Sequence, residues 1–177
     1  VHVKIRSADD KSVGVLPHMK TYDASCEAYR QGKTRRGSYA PYLDIHHPDI
    51  ALFVDIRKPT GDPRLRCENL HHGINVTDEF MQIIEKCMVD SSASDDFVLR
   101  DPNGKVHKVV SAKQLWQKIL TTRSQTGEPY LHFIDTANRA LPEHLSKLGL
   151  KIQGSNLCAE IELPTSPERT AVCCLSS

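Results

Sequence analysis

Asn69-Leu-His-His-Gly-Ile-Asn-Val-Thr-Asp78 is the stretch that decides the fold, because it joins an extended run to the start of a helix. The run up to Val76 predicts a strand, and Thr77 or Asp78 is a preferred residue at a helix N-cap. The helix is expected to continue to about Asp90, with a buried stripe made of Phe80, Ile83, Ile84 and Cys87. The stretch therefore predicts a strand followed at once by an amphipathic helix.

Elements of the same two kinds are expected on both sides of this stretch. The predicted order before it is extended segments in 1–16, a helix from Pro17 to Gly32, a strand over 38–45 and a short helix from Pro48 to about Arg57. The first helix is expected to carry on one face Met19, Tyr22, Cys26 and Tyr29. The predicted order after it is a hairpin of 97–99 with 106–110, a helix capped by Ser111, an extended segment over 130–135 and a short helix from Pro142 to Leu148. Strands separated by helices predict one α/β unit with parallel strands.

Composition narrows the class of protein. The chain has 177 residues, 39% of them hydrophobic and 25% charged, which is ordinary for one globular domain. Its formal net charge of +1 argues against general nucleic-acid binding. No apolar run approaches the roughly 18 residues of a membrane helix, and no signal peptide is visible. We therefore expect a cytoplasmic protein that binds neither nucleic acid nor a membrane.

The six cysteines do not predict a disulfide scaffold or a metal site. Disulfide-stapled secreted domains are shorter and richer in cysteine than this chain. There is no CxxC pair, and the His-His pairs at 46–47 and 71–72 lack a matching partner motif, so no metal is expected. Cys26 and Cys87 lie in predicted helices and are expected to be small core residues, whereas Cys67 receives no assignment.

A second stretch, Ser155-Asn-Leu-Cys-Ala-Glu-Ile-Glu-Leu-Pro164, carries the reactive groups. In an extended backbone, side chains at spacing two share one face, so Asn156, Cys158 and Glu160 are expected to face one pocket. An amide, a thiol and a carboxylate together suit redox or proton-transfer chemistry, and a further thiol follows at Cys173. The alternative is an ordinary strand that buries one small thiol.

A basic segment, Arg30-Gln-Gly-Lys-Thr-Arg-Arg-Gly37, lies between a predicted helix and a predicted strand. Its glycines allow close backbone approach to a ligand, and its lysine and arginines suit a phosphate or a base. It matches neither the P-loop nor the dinucleotide-binding pattern. The alternative is a solvated basic turn.

The two ends of the chain lead to a further expectation. The chain begins at Val1 without an initiator methionine and stops soon after the apolar run Ala171-Val-Cys-Cys-Leu175. We expect a segment of a larger protein, or one piece of a split protein.

Three separated motifs together resemble the large (α) subunit of ribonucleotide reductase. They are the stretch 155–164 with Ala171–Ser176 after it, Arg30–Asp44, and Asn69–Asp78, and they occur in the family's order across nearly the whole chain. The resemblance implies part of a ten-stranded α/β barrel whose central finger loop is the stretch 155–164. Residues 1–177 would then be one segment of the catalytic barrel domain, incomplete at both ends.

The resemblance also implies roles for the residues of the finger loop. Cys158 would form a transient thiyl radical that abstracts the ribose 3′-hydrogen. Glu160 would take the 3′-hydroxyl proton, and Asn156 would hydrogen-bond the ribose. Cys173 would be one of two cysteines that deliver reducing equivalents, and Cys174 receives no role.

In the family, the basic segment lies between an effector nucleotide and the substrate base. By the match, Gln31 and Arg35 would contact the base, while Gly32 and Lys33 would shape the segment. Lys33 departs from a glycine that many members have. Arg6 matches an arginine that contacts the effector phosphate.

The implied reaction is reduction of ribonucleoside diphosphates, regulated by dNTP or ATP effectors, with no cofactor bound directly to the chain. A metal-containing small (β) subunit would supply the radical, thioredoxin or glutaredoxin would be the reductant, and the full large subunit would form a homodimer. The isolated chain is expected to be inactive. Three alternatives remain open: an adenosylcobalamin-dependent reductase, a nucleotide-binding regulatory module without chemistry, and a redox sensor that uses a Cys173–Cys174 disulfide.

Overall fold

The computed structural model describes residues 3–29, 32 and 36–174. The helices in these ranges are α1 (Val15–Ala28), α2 (Ile50–Val54), α3 (Asp78–Val89), α4 (Ala112–Thr126), α5 (Ile134–Arg139) and α6 (Glu143–Ser146). The strands are β1 (Tyr42–Asp44), β2 (Gly73–Val76), β3 (Asp96–Arg100), β4 (Val106–Ser111) and β5 (Tyr130–Phe133). No helix in the described ranges is long and apolar enough to cross a membrane.

A three-stranded parallel sheet in the order β1-β2-β5 is the centre of the fold. Its strands are separated along the chain by helices, which confirms the predicted α/β class with parallel strands. The resemblance predicted part of a ten-stranded barrel, and the strands in the described residues do not close into a barrel. The structure is therefore an open α/β segment rather than a complete barrel.

One face of this sheet belongs to the hydrophobic core. Ile74, at the middle of β2, is fully buried, and its register neighbours Leu43 and Leu131 pack against the same core. Helices α2 and α4 contribute Phe53 and Ile119, both of which are completely buried. Because side chains alternate across a strand, the residues next to Leu43, Ile74 and Leu131 project from the opposite face.

Two predicted helix starts are confirmed by their caps. The side chain of Thr77 accepts a hydrogen bond from the backbone N–H of Phe80 at the start of α3. The side chain of Ser111 does the same for Gln114 at the start of α4, at 3.1 Å. Each hydroxyl satisfies a backbone donor that the first helical turn leaves free, which is why local sequence was sufficient to locate both starts.

The predicted hairpin is also confirmed, as the antiparallel pair β3-β4. It is joined to the core through Phe97, whose ring centroid lies 4.9 Å from that of Phe80 and 4.8 Å from that of His46. Gly104 supplies the positive φ (85°) that the connecting turn requires.

Helix α1 begins two residues before the predicted Pro17, because a tertiary contact caps it. The carboxylate of Asp49 accepts a hydrogen bond from the backbone N–H of Val15 at 3.1 Å. Of the four residues expected on one face of this helix, Met19 and Cys26 are buried, whereas Tyr22 and Tyr29 are 47% and 72% exposed. A distant residue therefore decides where this helix begins.

Two strands are shorter than predicted. β1 starts at Tyr42 instead of residue 38, and β2 starts at Gly73 instead of residue 69. The preceding segments still pair, since the N–H of His71 donates to the carbonyl of Tyr39 and that of Gly73 to the carbonyl of Pro41, both at 3.0 Å. Proline has no N–H to continue a regular ladder, which explains the irregular pairing before Tyr42.

Gly73 is a position where packing, rather than backbone conformation, requires glycine. A Cβ added there would lie 2.4 Å from Cε1 of Tyr42, whose ring covers the neighbouring strand.

We expect Gly73→Ala to lower the free energy of unfolding by about 1–3 kcal/mol through overpacking, measured by urea unfolding. In a Tyr42→Ala background the same substitution should cost much less. An equal cost in both backgrounds would contradict this packing explanation.

Candidate functional site

A row of polar side chains runs across the sheet face opposite the hydrophobic core. The strand register places Asp44, Asn75 and His132 side by side on β1, β2 and β5. Nδ2 of Asn75 donates to Oδ1 of Asp44 at 2.8 Å, and Oδ1 of Asn75 lies 2.7 Å from Nδ1 of His132. Asn75 and His132 are only 3% and 6% exposed, so their polar atoms depend on one another for hydrogen bonds.

A loop of residues 153–162, here called the site loop, is bonded to this polar face at three points. Near its start, the carbonyl of Gln153 accepts a hydrogen bond from Nδ2 of Asn75 at 2.9 Å. In its middle, the carbonyl of Asn156 accepts one from the hydroxyl of Tyr42, also at 2.9 Å. At its end, Oε2 of Glu162 lies 2.9 Å from Nε2 of His132. These bonds hold the site loop against the strands.

Tyr42 can lie under the site loop because two glycines leave room for its ring. Besides the contact at Gly73, a Cβ on Gly154 would approach Cβ and Cγ of Tyr42 at 3.2 Å. The ring also meets that of His132 edge to face, at a centroid distance of 5.6 Å. Burial raises the pKa of Tyr42 to about 12, so its hydroxyl remains a hydrogen-bond donor at neutral pH.

The site loop is a compact turn, and the predicted extended backbone is wrong. The side-chain Oδ1 of Asn156 accepts hydrogen bonds from the backbone N–H groups of Glu160 and Ile161, both at 3.0 Å. The hydroxyl of Ser155 donates to the carbonyl of Ile161 at 2.8 Å, and Ala159 has a φ of +61°. Asparagine side chains that bond nearby backbone groups compete with extended structure, which explains the difference.

The three predicted reactive residues all belong to this turn, in roles that strand alternation does not describe. The thiol of Cys158 and the carboxylate of Glu160 are both exposed at the tip of the site loop. Asn156 uses its Oδ1 to close the turn, while its Nδ2 has no hydrogen-bond partner among the described residues. The tip therefore exposes a thiol and a carboxylate, and the partly exposed Asn156 closes the turn beneath them.

Tyr130, on β5, adds a phenol to the surroundings of Cys158. Burial, together with the negative charges that Glu128 and Cys158 can carry, raises the pKa of Tyr130. The imidazole of His71 is nearly parallel to the Tyr130 ring, at a centroid distance of 6.3 Å. The phenol of Tyr130 therefore lies close enough to Cys158 for that residue to contribute to the raised pKa of Tyr130.

Glu128 lies within hydrogen-bond distance of both histidines of the pair His71-His72, for which the sequence showed no metal-binding partner motif. Its two carboxylate oxygens lie 2.5 Å from Nδ1 of His71 and 3.0 Å from Nδ1 of His72, and Arg57 approaches to 3.8 Å. Burial alone would raise the pKa of Glu128, but the hydrogen bonds from His72 and His71 and the charge of Arg57 hold it below its ordinary value. Across the described residues, no group of three or more histidine, cysteine or acidic side chains has metal-binding geometry.

The remaining cysteines divide between the core and the surface, and all six are free thiols. Cys26 is buried as predicted, and Cys67 is buried with its pKa raised to about 11 by that burial, which makes it unreactive. Cys87 is only partly buried. Cys173 and Cys174 are exposed in a segment without regular secondary structure.

Most of the predicted effector segment lies outside the described residues. Gln31, Lys33 and Arg35 belong to the parts that the structure leaves out, while Gly32 is described and has a φ of +64°. Arg6 pairs with Asp9 at 3.4 Å, and both side chains are about a third exposed.

Sequence reasoning missed the residues that hold the site loop. A signal was present, because each parallel strand contains one polar residue at the same place in an apolar run. The three runs are Tyr-Leu-Asp-Ile45, Gly-Ile-Asn-Val76 and Tyr-Leu-His-Phe133. A repeated polar position in otherwise buried strands indicates a polar face, although only the structure shows that the site loop covers it.

Known proteins are similar to this chain in sequence and in fold. The family model described as "Ribonucleotide reductase, barrel domain" matches residues 2–177. The chain is 53% identical over 174 residues to the "Putative ribonucleoside-diphosphate reductase large subunit" of Frog virus 3 (isolate Goorha), covering 98% of the chain and 30% of that protein. It is 33% identical over 190 residues to the "Ribonucleoside-diphosphate reductase large subunit" of Arabidopsis thaliana, covering 98% of the chain and 23% of that protein.

A solved structure is similar to this chain in fold. The "Actinobacillus ureae class Id ribonucleotide reductase alpha subunit" aligns with a TM-score of 0.69 and 27% identity, over 93% of this chain and 26% of that one. The chain thus spans less than a third of the length of each of these three proteins.

The raised pKa of Tyr42 leads to a prediction about alkaline stability. Above about pH 10 the unfolded chain ionises this phenol while the folded chain does not, so the free energy of unfolding should fall as the pH rises towards about 12. Tyr42→Phe removes this contribution, and its stability should fall less steeply over that range when followed by urea unfolding. At neutral pH the variant should lose about 1 kcal/mol with its hydrogen bond. Identical alkaline slopes would contradict the buried, neutral phenol.

The lowered pKa of Glu128 leads to the opposite prediction in acid. The ionised carboxylate stabilises the fold above its ordinary pKa, and this contribution should be lost as the pH falls through the lower folded value. Glu128→Gln should be less stable at neutral pH and should show a weaker decline in acid, measured by urea unfolding at a series of pH values. A parallel decline in both proteins would show that Glu128 is not responsible.

Proposed function

Because the chain belongs to the barrel-domain family of ribonucleotide reductase, as its motifs predicted, we propose that it supplies the catalytic thiol for reduction of ribonucleoside diphosphates. The product would be the deoxyribonucleoside diphosphate. Residues 1–177 would form one segment of the catalytic barrel domain, incomplete at both ends, and other segments would complete the barrel. The isolated chain would then be inactive.

The observation that carries this proposal is the attachment of the site loop to the polar face of the parallel sheet. Cys158 is exposed at the tip, and bonds from the sheet fix the loop at its start, middle and end. Hydrogen abstraction by a thiyl radical requires the sulfur to be held at a defined position beside the ribose. A thiol on an anchored turn meets that requirement better than one on a free loop.

The residues at the tip have the chemistry that the reaction needs. The Cys158 thiyl radical would take the hydrogen from C3′, and Glu160 would accept the proton of the 3′-hydroxyl. The free Nδ2 of Asn156 would donate a hydrogen bond to the ribose as the 2′-hydroxyl leaves as water. Cys173 and a second cysteine would supply two electrons and two protons in this step, ending as a disulfide, after which Cys158 would return the hydrogen to C3′ and Glu160 the proton to the 3′-oxygen.

Regulation by dNTP or ATP would involve the basic segment. Gln31 and Arg35 would contact the base, with Gly32 and Lys33 shaping the turn, and Arg6 would contact the effector phosphate. The ion pair between Arg6 and Asp9 is long and partly solvated, so a phosphate could displace Asp9 at little cost.

The partners we propose follow from the relatives. Their names are those of large or alpha subunits, and one is of class Id, which favours a radical supplied by a metal-containing small (β) subunit. Thioredoxin or glutaredoxin would reduce the disulfide, and the complete large subunit would form a homodimer. An adenosylcobalamin-dependent enzyme is the alternative, and turnover restored by cobalamin instead of the small subunit would establish it.

Replacement of Cys158 tests the proposed chemistry. In the complete enzyme, Cys158→Ala should reduce deoxyribonucleotide formation to background while leaving nucleotide binding intact, because only the radical-carrying sulfur is lost. Cys174→Ala, which removes an exposed thiol with no assigned role, is the matched control and should keep its turnover. Normal turnover by Cys158→Ala would instead support the nucleotide-binding regulatory module.

A further inference from the structure

The end of the site loop depends on one pair of side chains that the proposed chemistry does not use. Nε2 of His132 lies 2.9 Å from Oε2 of Glu162. His132 is 6% exposed on β5, and the side chain of Glu162 is 36% exposed. Glu162 comes two residues after Glu160 and four after Cys158, so a displacement of this end would be transmitted directly to the reactive tip.

Hydrogen-bond direction can be followed along the polar row to this pair. Nδ2 of Asn75 faces two acceptors, an oxygen of Asp44 and the carbonyl of Gln153. The atom of Asn75 that faces His132 is therefore its Oδ1, which can only accept, so Nδ1 of His132 must carry a proton. When Nε2 of His132 also carries a proton, its N–H donates to the carboxylate of Glu162 across the 2.9 Å contact.

The pair also distinguishes the two carboxylates that flank Ile161. Glu162 is engaged by His132, whereas the carboxylate of Glu160 has no hydrogen-bond partner among the described residues. A general base must be free to meet the proton that it removes. The engaged carboxylate therefore suits a structural link, and the free one suits proton transfer.

We propose that His132 is a positioning residue, which holds the exit of the site loop through Glu162 and thereby sets where Cys158 and Glu160 stand relative to the sheet. This inference rests on the proposed function, in which the sulfur and the carboxylate must both reach one ribose. His132 receives its own orientation from Asn75, so the row from Asp44 to Glu162 acts as one rigid connection between three strands and the loop. Small misplacements of reacting groups reduce rates strongly, which makes the link important for turnover.

The first test is kinetic and uses the complete enzyme. Glu162→Ala should lower kcat by about tenfold or more with little change in the KM for the nucleotide, because it displaces reacting groups without removing substrate contacts. Glu162→Gln should recover most of the loss, since its amide oxygen can still accept from Nε2–H of His132. In a His132→Ala background, Glu162→Ala should add little. Glu168→Ala, at an exposed carboxylate outside the site loop, is the matched control and should keep its kcat.

The second test does not depend on activity and uses the 177-residue chain. The backbone N–H groups of Glu160 and Ile161 are bonded to Asn156 only while the turn is intact. Their hydrogen exchange should be about tenfold faster in Glu162→Ala than in the parent, and close to the parent rate in Glu162→Gln. Unchanged exchange and unchanged kcat in Glu162→Ala would overturn the inference. If Cys158→Ala keeps its turnover, the proposed function fails instead, whatever the exchange data show.

Discussion

The hydrogen-bonded row from Asp44 through Asn75 and His132 to Glu162 is the constraint on which the site depends. Its central members are buried, and a buried polar group without a partner costs about 1–3 kcal/mol. Each side chain in the row therefore fixes the next, and the arrangement admits few alternatives. Glu162, the last residue of this row, belongs to the site loop, so the position of that end of the loop depends on the strand register.

The two faces of the sheet differ in the kind of side chain that they bury. Leu43, Ile74 and Leu131 pack into the core beneath the helices, and this apolar burial supplies the main driving force for folding. The opposite face carries polar groups that cost energy to bury and are kept satisfied only by one another and by the loop. Tyr42 contributes both apolar packing and a polar bond. Its ring fills the space that Gly73 leaves, and its hydroxyl donates a hydrogen bond to the carbonyl of Asn156.

Features that arise within a few residues were predictable. Thr77 and Ser111 cap helices through bonds to residues three positions ahead, and the parallel α/β class follows from the order of elements. The start of α1 was predicted less well, because it depends on the carboxylate of Asp49, far along the chain. The turn of the site loop was missed because the side chain of Asn156 accepts hydrogen bonds from the backbone N–H groups of Glu160 and Ile161, which periodicity does not report.

The sequence by itself determined the family, the order of the strands and helices except for α5, which was missed, and the presence of a thiol, a carboxylate and an amide within five residues. The tertiary structure alone decided which residues hold that group in place. Asn75 and His132 are far apart in the chain and become neighbours only through the register of β2 and β5. The apolar pattern of each strand favours one face for the core, but which residue of one strand lies beside which residue of the other is decided only when the strands pair in the folded sheet.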